Sequence, residues 1–351
     1  MPLSIPVTWS DAHRLHAPAT ALWVGVRIEA DELPARADLI RAALEEAGAP
    51  VVEAVPHSDD ALLAVHDAGL VEFLRTAWVN WQASGMADEA GQHEVMGYIY
   101  PTAGFLGGVD PRVPAALSAR TGAWSFDTMT AVGQGTWEAT RGAVDAALTA
   151  ADLVLDGAPA AYACCRPPGH HVTRSAFGGS CYLNNAAVAA QYLRDTGKSR
   201  VAIIDLDAHH GNGAQAIFWG RDDMLTASVH VDPGAGWFPH FLGFADESSF
   251  ANLNLPLPPG SGDAIWLAAV DRVSATAEEH ACEALVVALG VDAASGDPNS
   301  PLAVTEDGYR KAGALLGALE VPTVLVQEGG YVLETIGPLV RATLEGFEGA
   351  R

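Results

Sequence analysis

Five short, predominantly apolar runs punctuate the chain: Ala160 to Cys165, Val201 to Ile204, Met224 to Val229, Ala284 to Leu289 and Thr323 to Val326. Runs of this length, bounded by Gly, Pro or charged residues, predict strands buried on both faces, as in a parallel sheet. Between them the apolar positions change to helical spacing. Val144, Leu148, Ala151 and Leu155 recur along one helical face and stop at Gly157, while Tyr309, Ala312, Leu316 and Leu319 follow Thr305, a residue suited to an N-cap. Alternating strands and helices predict an α/β fold, a doubly wound parallel sheet with helices on both faces. No repeat or long linker divides the chain, so residues 1–351 are expected to form one domain, with a long Gly/Pro-rich surface loop at Tyr100 to Pro114.

Four of the runs are followed at once by polar clusters, and ligands of such sheets bind beyond the carboxyl ends of the strands. The clusters are Arg166-Pro167-Pro168-Gly169-His170-His171, Asp205 to Gly213, Gly290 to Pro298, and Gln327-Glu328-Gly329-Gly330-Tyr331. In extended backbone Asp205, Asp207 and His209 point the same way, an expensive arrangement unless a cation neutralises the carboxylates. Asp207 and His209, with Asp292 from the next cluster, make a three-ligand set of the kind that leaves a metal position open, suited to Zn²⁺ or Fe²⁺. A structural Asp–His network is the alternative for Asp-x-Asp-x-His alone, and the company of the other clusters disfavours it. The tandem His170-His171 can serve as base and acid, and Tyr331 after two glycines can donate to an oxyanion.

Composition adds limits. The 351 residues are 49% hydrophobic and 18% charged, which excludes a disordered chain and a small disulfide scaffold. The net charge of −24 argues against a nucleic-acid partner and is compatible with either cationic substrates or a merely solubilising surface. No apolar run approaches the ~18–20 residues of a membrane span, and the first thirty residues lack the pattern of a secretory leader. The four cysteines, Cys164, Cys165, Cys181 and Cys282, show no spaced framework, so a cytoplasmic protein is expected.

Taken together these residues resemble the histone deacetylase superfamily, and within it the bacterial acetylpolyamine amidohydrolases and class II-like deacetylases. The matching segments are RPPGHH at 166–171, GGSCYLNNAAVAA at 178–190, DLDAHHGNG at 205–213, FPHFLGFADE at 238–247, LGVDAASGDP at 289–298 and EGGY at 328–331, with a weaker match, HDAGLVEFLRTAW, at 66–78. The resemblance implies an arginase/deacetylase-type fold and one Zn²⁺ held by Asp207, His209 and Asp292. It further implies His170 and His171 as the catalytic pair, oriented by Asp205 and Asn212, and Tyr331 as the residue that polarises the carbonyl. A K⁺ site is implied at Asp205, the carbonyls of Asp207 and His209, and Ser228. Ser180, His230 and Phe238 are placed in the wall of the substrate channel, and a homodimer is implied.

A dimetal guanidine hydrolase is excluded on chemistry, because Gly211 and Ala294 stand where further carboxylates would be needed. Ser180 occupies a position where the family usually has Phe or Tyr. Either the channel is wider there, or a neighbour such as Trp237 or Phe238 fills the space. The entrance is expected from Leu22 to Leu33 and Gly104 to Pro114. These expectations favour an amidohydrolase acting on a small acylated amine such as an acetylpolyamine. The alternatives are an acyl-lysine deacetylase of proteins and a deacylase of a specialised metabolite, while a metal-stabilised binding protein is disfavoured by the full set of catalytic residues.

Overall fold

A computed structural model describes residues 2–18, 20–90 and 93–351. Among the described residues there are ten strands: β1 Val7–Trp9, β2 Thr20–Trp23, β3 Val26–Glu29, β4 Val51–Glu53, β5 Ala160–Ala163, β6 Val201–Asp205, β7 Met224–Val231, β8 Asn252–Leu257, β9 Ala284–Leu289 and β10 Thr323–Gln327. Eight form one sheet in the order β4-β1-β5-β10-β9-β6-β7-β8, and every pairing in it is parallel. The other two, β2 and β3, make an antiparallel hairpin of their own.

The alternation of side chains along each strand divides the core into two layers. Ala161, Ala163, Ile203, Val286, Val324 and Val326 pack on one face beneath the helices Ala68–Ala83, Thr136–Leu155 and Asn185–Asp195. Ala160, Tyr162, Ile204, Leu285, Val287 and Leu325 pack on the other, beneath Ala35–Glu46, Asp263–Glu279, Glu306–Gly317 and Leu333–Gly349. Both faces are therefore covered, as the continuous apolar runs predict. Thr305 caps the Glu306–Gly317 helix by accepting from the Gly308 amide at 3.2 Å, and Leu319 falls just beyond that helix.

Three differences from the sequence reading stand out. Strands β1, β4 and β8 give no strong sequence signal: the first two are three residues long, and β8 is a polar edge strand carrying Pro256, tolerated only where no ladder bond is lost. Strand β7 runs on to Val231, which draws His230 into the sheet. The expected loop at Tyr100 to Pro114 contains one helical turn, Ala103–Leu106. Among the described residues, the cysteines are all free and no helix is long and apolar enough to cross a membrane.

The strands β5, β10, β9 and β6 are consecutive neighbours in the sheet. Each is followed by one of the four polar clusters, so parallel pairing alone delivers all four to one edge. The far side of the molecule shows a different constraint. The Glu306–Gly317 and Leu333–Gly349 helices touch through glycines: a Cβ at Gly313 would run into the Thr343 carbonyl oxygen, and one at Gly346 into that of Arg310. Gly313→Ala is expected to cost about 1–3 kcal/mol through overpacking and to lower the melting temperature measured by circular dichroism. Gly349→Ala, where a Cβ meets nothing within 4 Å, should leave it unchanged or slightly raised.

Candidate active site

The metal-ligating candidates come from two loops and share one point. Asp207 and His209 follow β6, and Asp292 follows β9, the strand beside it. Their donor atoms all lie within 4.8 Å of one another. His209 Nδ1 is 3.1 Å from Asp207 Oδ1 and 3.0 Å from Asp292 Oδ2. The remaining carboxylate oxygens are held by backbone amides. Gly329 N donates to Asp207 Oδ2 at 2.7 Å, and Ala208 N donates to Asp292 Oδ1 at 2.8 Å.

Asp207 and Asp292 are 1% and 0% exposed, so two carboxylates are buried together against the His209 imidazole, with His170 Nε2 3.8 Å from Asp207 Oδ1. Burial and the neighbouring Asp207 charge push the Asp292 carboxyl up to about 7. Burial disfavours charge on His209, but its bonds to Asp207 and Asp292 hold the imidazole up to about 10. A donor set this short of positive charge, made of two carboxylates and an imidazole, fits a divalent cation.

The histidines lie on the turn after β5. Their rings are 4.0 Å apart between centroids, and the His171 ring is 6.0 Å from that of His209. His170 Nδ1 meets Asp205 Oδ2 at 2.9 Å, whereas His171 Nδ1 meets Asn212 Oδ1 at 2.7 Å. Asn212 Nδ2 donates to the His171 carbonyl at 3.1 Å, which fixes Oδ1 as the atom facing the ring. An amide oxygen only accepts, so His171 carries its proton on Nδ1 and keeps Nε2 free. Burial opposes charge on both rings. For His170 the Asp207 and Asp205 carboxylates outweigh it and raise its pKa well above the ordinary value, while His171, facing His170 and His209, is driven well below.

A cavity of about 560 Å³ opens over these groups, with His171, His209 and Tyr331 among its lining residues. Ser180 and Phe238 are among its lining residues too. The Phe238 ring stands edge-on to His171 at 4.8 Å between centroids, and Trp237 lines the same cavity. Ser180 is left as a small polar part of the wall, on a backbone with φ of +63°, its amide donating to Thr130 Oγ1 at 2.8 Å. The hairpin β2–β3 and the residues after it supply Trp23, Ile28, Glu29 and Asp31, so the Leu22 to Leu33 segment reaches the cavity. Gly104 to Pro114 does not line it.

His230 must be corrected. It is wholly buried, bonded through Nδ1 to Ser228 Oγ and through Nε2 to the Gly243 carbonyl, both at 2.8 Å, and it does not line the cavity. The longer β7 places it on a face covered by His210 and Gly243, away from the channel. Ser228 pairs in register with Asp205 across β6 and β7, which brings it beside the residues expected at a monovalent-cation site.

Several residues of the site are not among the candidates that the sequence singles out. Asp127 Oδ2 accepts from the Gly179 amide at 2.6 Å, and Asp297 Oδ2 from the Tyr331 amide at 2.9 Å. The Arg36 guanidinium lies over the Tyr331 ring at 4.8 Å and donates to the carbonyls of Gly330 and Glu328 and to Glu32. Arg36 is in register with Ile40 and Leu44 on the buried stripe of its helix, and a charged residue in such a stripe was the signal available.

The sheet, the donor set and the paired histidines define a deacetylase-type hydrolase. The chain belongs to the histone deacetylase domain family, whose model matches residues 30–347. It is 40% identical over 348 residues to acetylpolyamine amidohydrolase 1 of Pseudomonas aeruginosa, covering 97% of this chain and 98% of that one. A histone deacetylase-like amidohydrolase of the same organism is 37% identical, over 63% of this chain and 60% of its own length. The solved structure of an acetylpolyamine aminohydrolase from Burkholderia pseudomallei superposes with a TM-score of 0.93 at 40% identity, over 99% of this chain and all of that one.

A Cβ at Gly329 would stand 2.5 Å from Asp207 Oδ2 and 2.5 Å from Asp292 Oδ2. Gly329→Ala is therefore expected to displace both carboxylates and to lower bound metal at least about tenfold, measured by elemental analysis after dialysis. Unchanged metal content would rule out this donor set.

Proposed function

We propose that the protein is a zinc-dependent amidohydrolase that removes the acetyl group from a small cationic amine such as an acetylpolyamine. The observation that carries this reading is the end-to-end likeness to acetylpolyamine amidohydrolases, set against a likeness to the histone deacetylase-like amidohydrolase that covers under two thirds of the chain. The cavity supports it. Glu29 and Asp31 are among its lining residues, and none of those residues is Lys or Arg, so a cationic amine meets carboxylates and no Lys or Arg side chain on the way in.

Asp207, His209 and Asp292 would hold the metal. When bound, Zn²⁺ supplies Lewis acidity, polarising the amide carbonyl and lowering the pKa of a water from ~15.7 toward ~7. His171, neutral and with Nε2 free, accepts the proton of the attacking water and returns it to the leaving nitrogen. His170, bonded through Nδ1 to Asp205, holds its ring against that of His171 and so fixes the pair in place. Tyr331 donates its hydroxyl hydrogen to that oxygen, with its backbone tied to Asp297 and its ring packed under Arg36. K⁺ at Asp205, Ser228 and the carbonyls of Asp207 and His209, a single catalytic domain, a homodimer and a cytoplasmic setting complete the reading.

Kinetics on acetylputrescine, acetylcadaverine and N8-acetylspermidine, set against acetyl-lysine and longer acyl-lysine peptides, test the substrate. A kcat/KM preference of at least about 100-fold for the free amines, or ~2.7 kcal/mol, is expected. A preference for the peptides would make the protein a protein deacylase. Tyr331→Phe should lower kcat on the preferred amide by about 10²–10³ with unchanged metal content and melting temperature. A variant with wild-type kcat would remove Tyr331 from the mechanism.

A further inference from the structure

One buried carboxylate near the histidines has no part in that scheme. Glu328 follows the last residue of β10 and is 1% exposed. Its backbone is fixed at both ends: the amide donates to the Leu289 carbonyl at 2.9 Å, and the carbonyl accepts from Arg36 at 2.6 Å. Its side chain turns toward the neighbouring strand, where Oε2 accepts from the amides of Gly169 at 2.6 Å and His170 at 3.1 Å. Oε1 has no hydrogen-bond partner among the described residues. A side-chain oxygen of Glu328 lies within 4.8 Å of an imidazole nitrogen of His170.

Burying a carboxylate is costly, and burial pushes this one up to about 8. Among the described residues its side chain bonds only those two amides, so what it contributes is the placement of the turn that carries them. The turn leaves little slack, since a Cβ at Gly169 would collide with the Leu183 carbonyl oxygen. The next residue, Gly329, donates its amide to Asp207. Two consecutive residues at the end of β10 therefore grip the histidine turn on one side and a metal-ligand candidate on the other.

We propose that Glu328 is a positioning residue, whose side-chain oxygen clamps the Gly169 and His170 amides and so sets His170 and His171 in register with Asp207, His209 and Asp292. The proposal rests on the amidohydrolase reading for its kinetic consequence, though not for the clamp itself. Gln at this position keeps one accepting oxygen in the place of Oε2 and puts its NH₂ where Oε1 makes no bond. Ala removes the clamp.

The test uses the metal-loaded full chain. Amide hydrogen exchange across residues 164–172 is compared with steady-state kinetics on whichever amide the wild type cleaves best. In Glu328→Ala the Gly169 and His170 amides should exchange about 10- to 100-fold faster, the equivalent of leaving a buried amide without its acceptor. kcat should fall about 100-fold, as expected for a misplaced catalytic group, with KM within about threefold and metal content unchanged. Glu328→Gln should restore most of both. Tyr162→Phe, which removes the buried 2.6 Å bond from the Tyr162 hydroxyl to Gln327 Oε1, loosens the same strand end and should change neither. Wild-type exchange at Gly169 and His170 in Glu328→Ala would overturn the proposal. So would a Glu328→Gln protein as impaired as the Ala variant, because the charge and not the accepted bonds would then matter. If the wild type cleaves no amide in the panel, the amidohydrolase reading falls and the exchange data still decide the clamp.

Discussion

Acidic side chains crowded at one edge of a parallel sheet govern most of what surrounds them. Asp205, Asp207, Asp292 and Glu328 are each at most 2% exposed, and they follow or end the strands β6, β9 and β10. Removing that much like charge from water is unfavourable unless each oxygen finds a donor or a cation. The chain answers with backbone. Amides of Asp207, His209, Ala208, Gly329, Gly169 and His170 all point at these carboxylates. The same crowding explains glycines that no turn requires. A Cβ at Gly211 would strike the Asp205 carboxylate, and one at Gly290 the Asp207 carboxylate.

Once the carboxylates are placed, two chemically identical neighbours become different reagents. His170 and His171 share a turn, are both buried and nearly touch. What separates them is the group behind each ring, a carboxylate for His170 and an amide oxygen for His171. The first holds a proton in place; the second fixes a tautomer without supplying a charge. Repulsion between the rings then pushes their affinities for protons further apart, since charging one makes charging the other harder. An Asp in place of Asn212 would erase much of this asymmetry while keeping a similar shape.

The central strands were legible because a strand buried on both faces needs no alternation, only a short apolar run between breakers. That signal weakens toward the edges, where β1 and β4 are too short to show it and β8 mixes Asn, Leu and Pro. His230 shows how the end of an interior strand bears on a functional assignment. The family resemblance alone places His230 in the channel wall, whereas strand β7, running two residues past Val229, turns its ring toward Ser228 and Gly243.

Within the site, legibility followed sequence distance. Asp205, Asp207, His209, His170, His171 and Tyr331 each stand in a dense polar cluster directly after an apolar run, and β5, β10, β9 and β6 are adjacent, so local pattern implied convergence. The residues that hold them in place come from elsewhere. Arg36 reaches Tyr331 from the first long helix, 295 positions earlier by number, and Asp127 supports Gly179 from a loop before the Thr136–Leu155 helix. Such braces need only one charged side chain at the right height on an otherwise ordinary element, so they leave no motif. Glu328 lies between the two cases. It stood in plain view within a cluster, yet its partners are backbone amides, which every residue but proline carries, and no side-chain pattern could have named them.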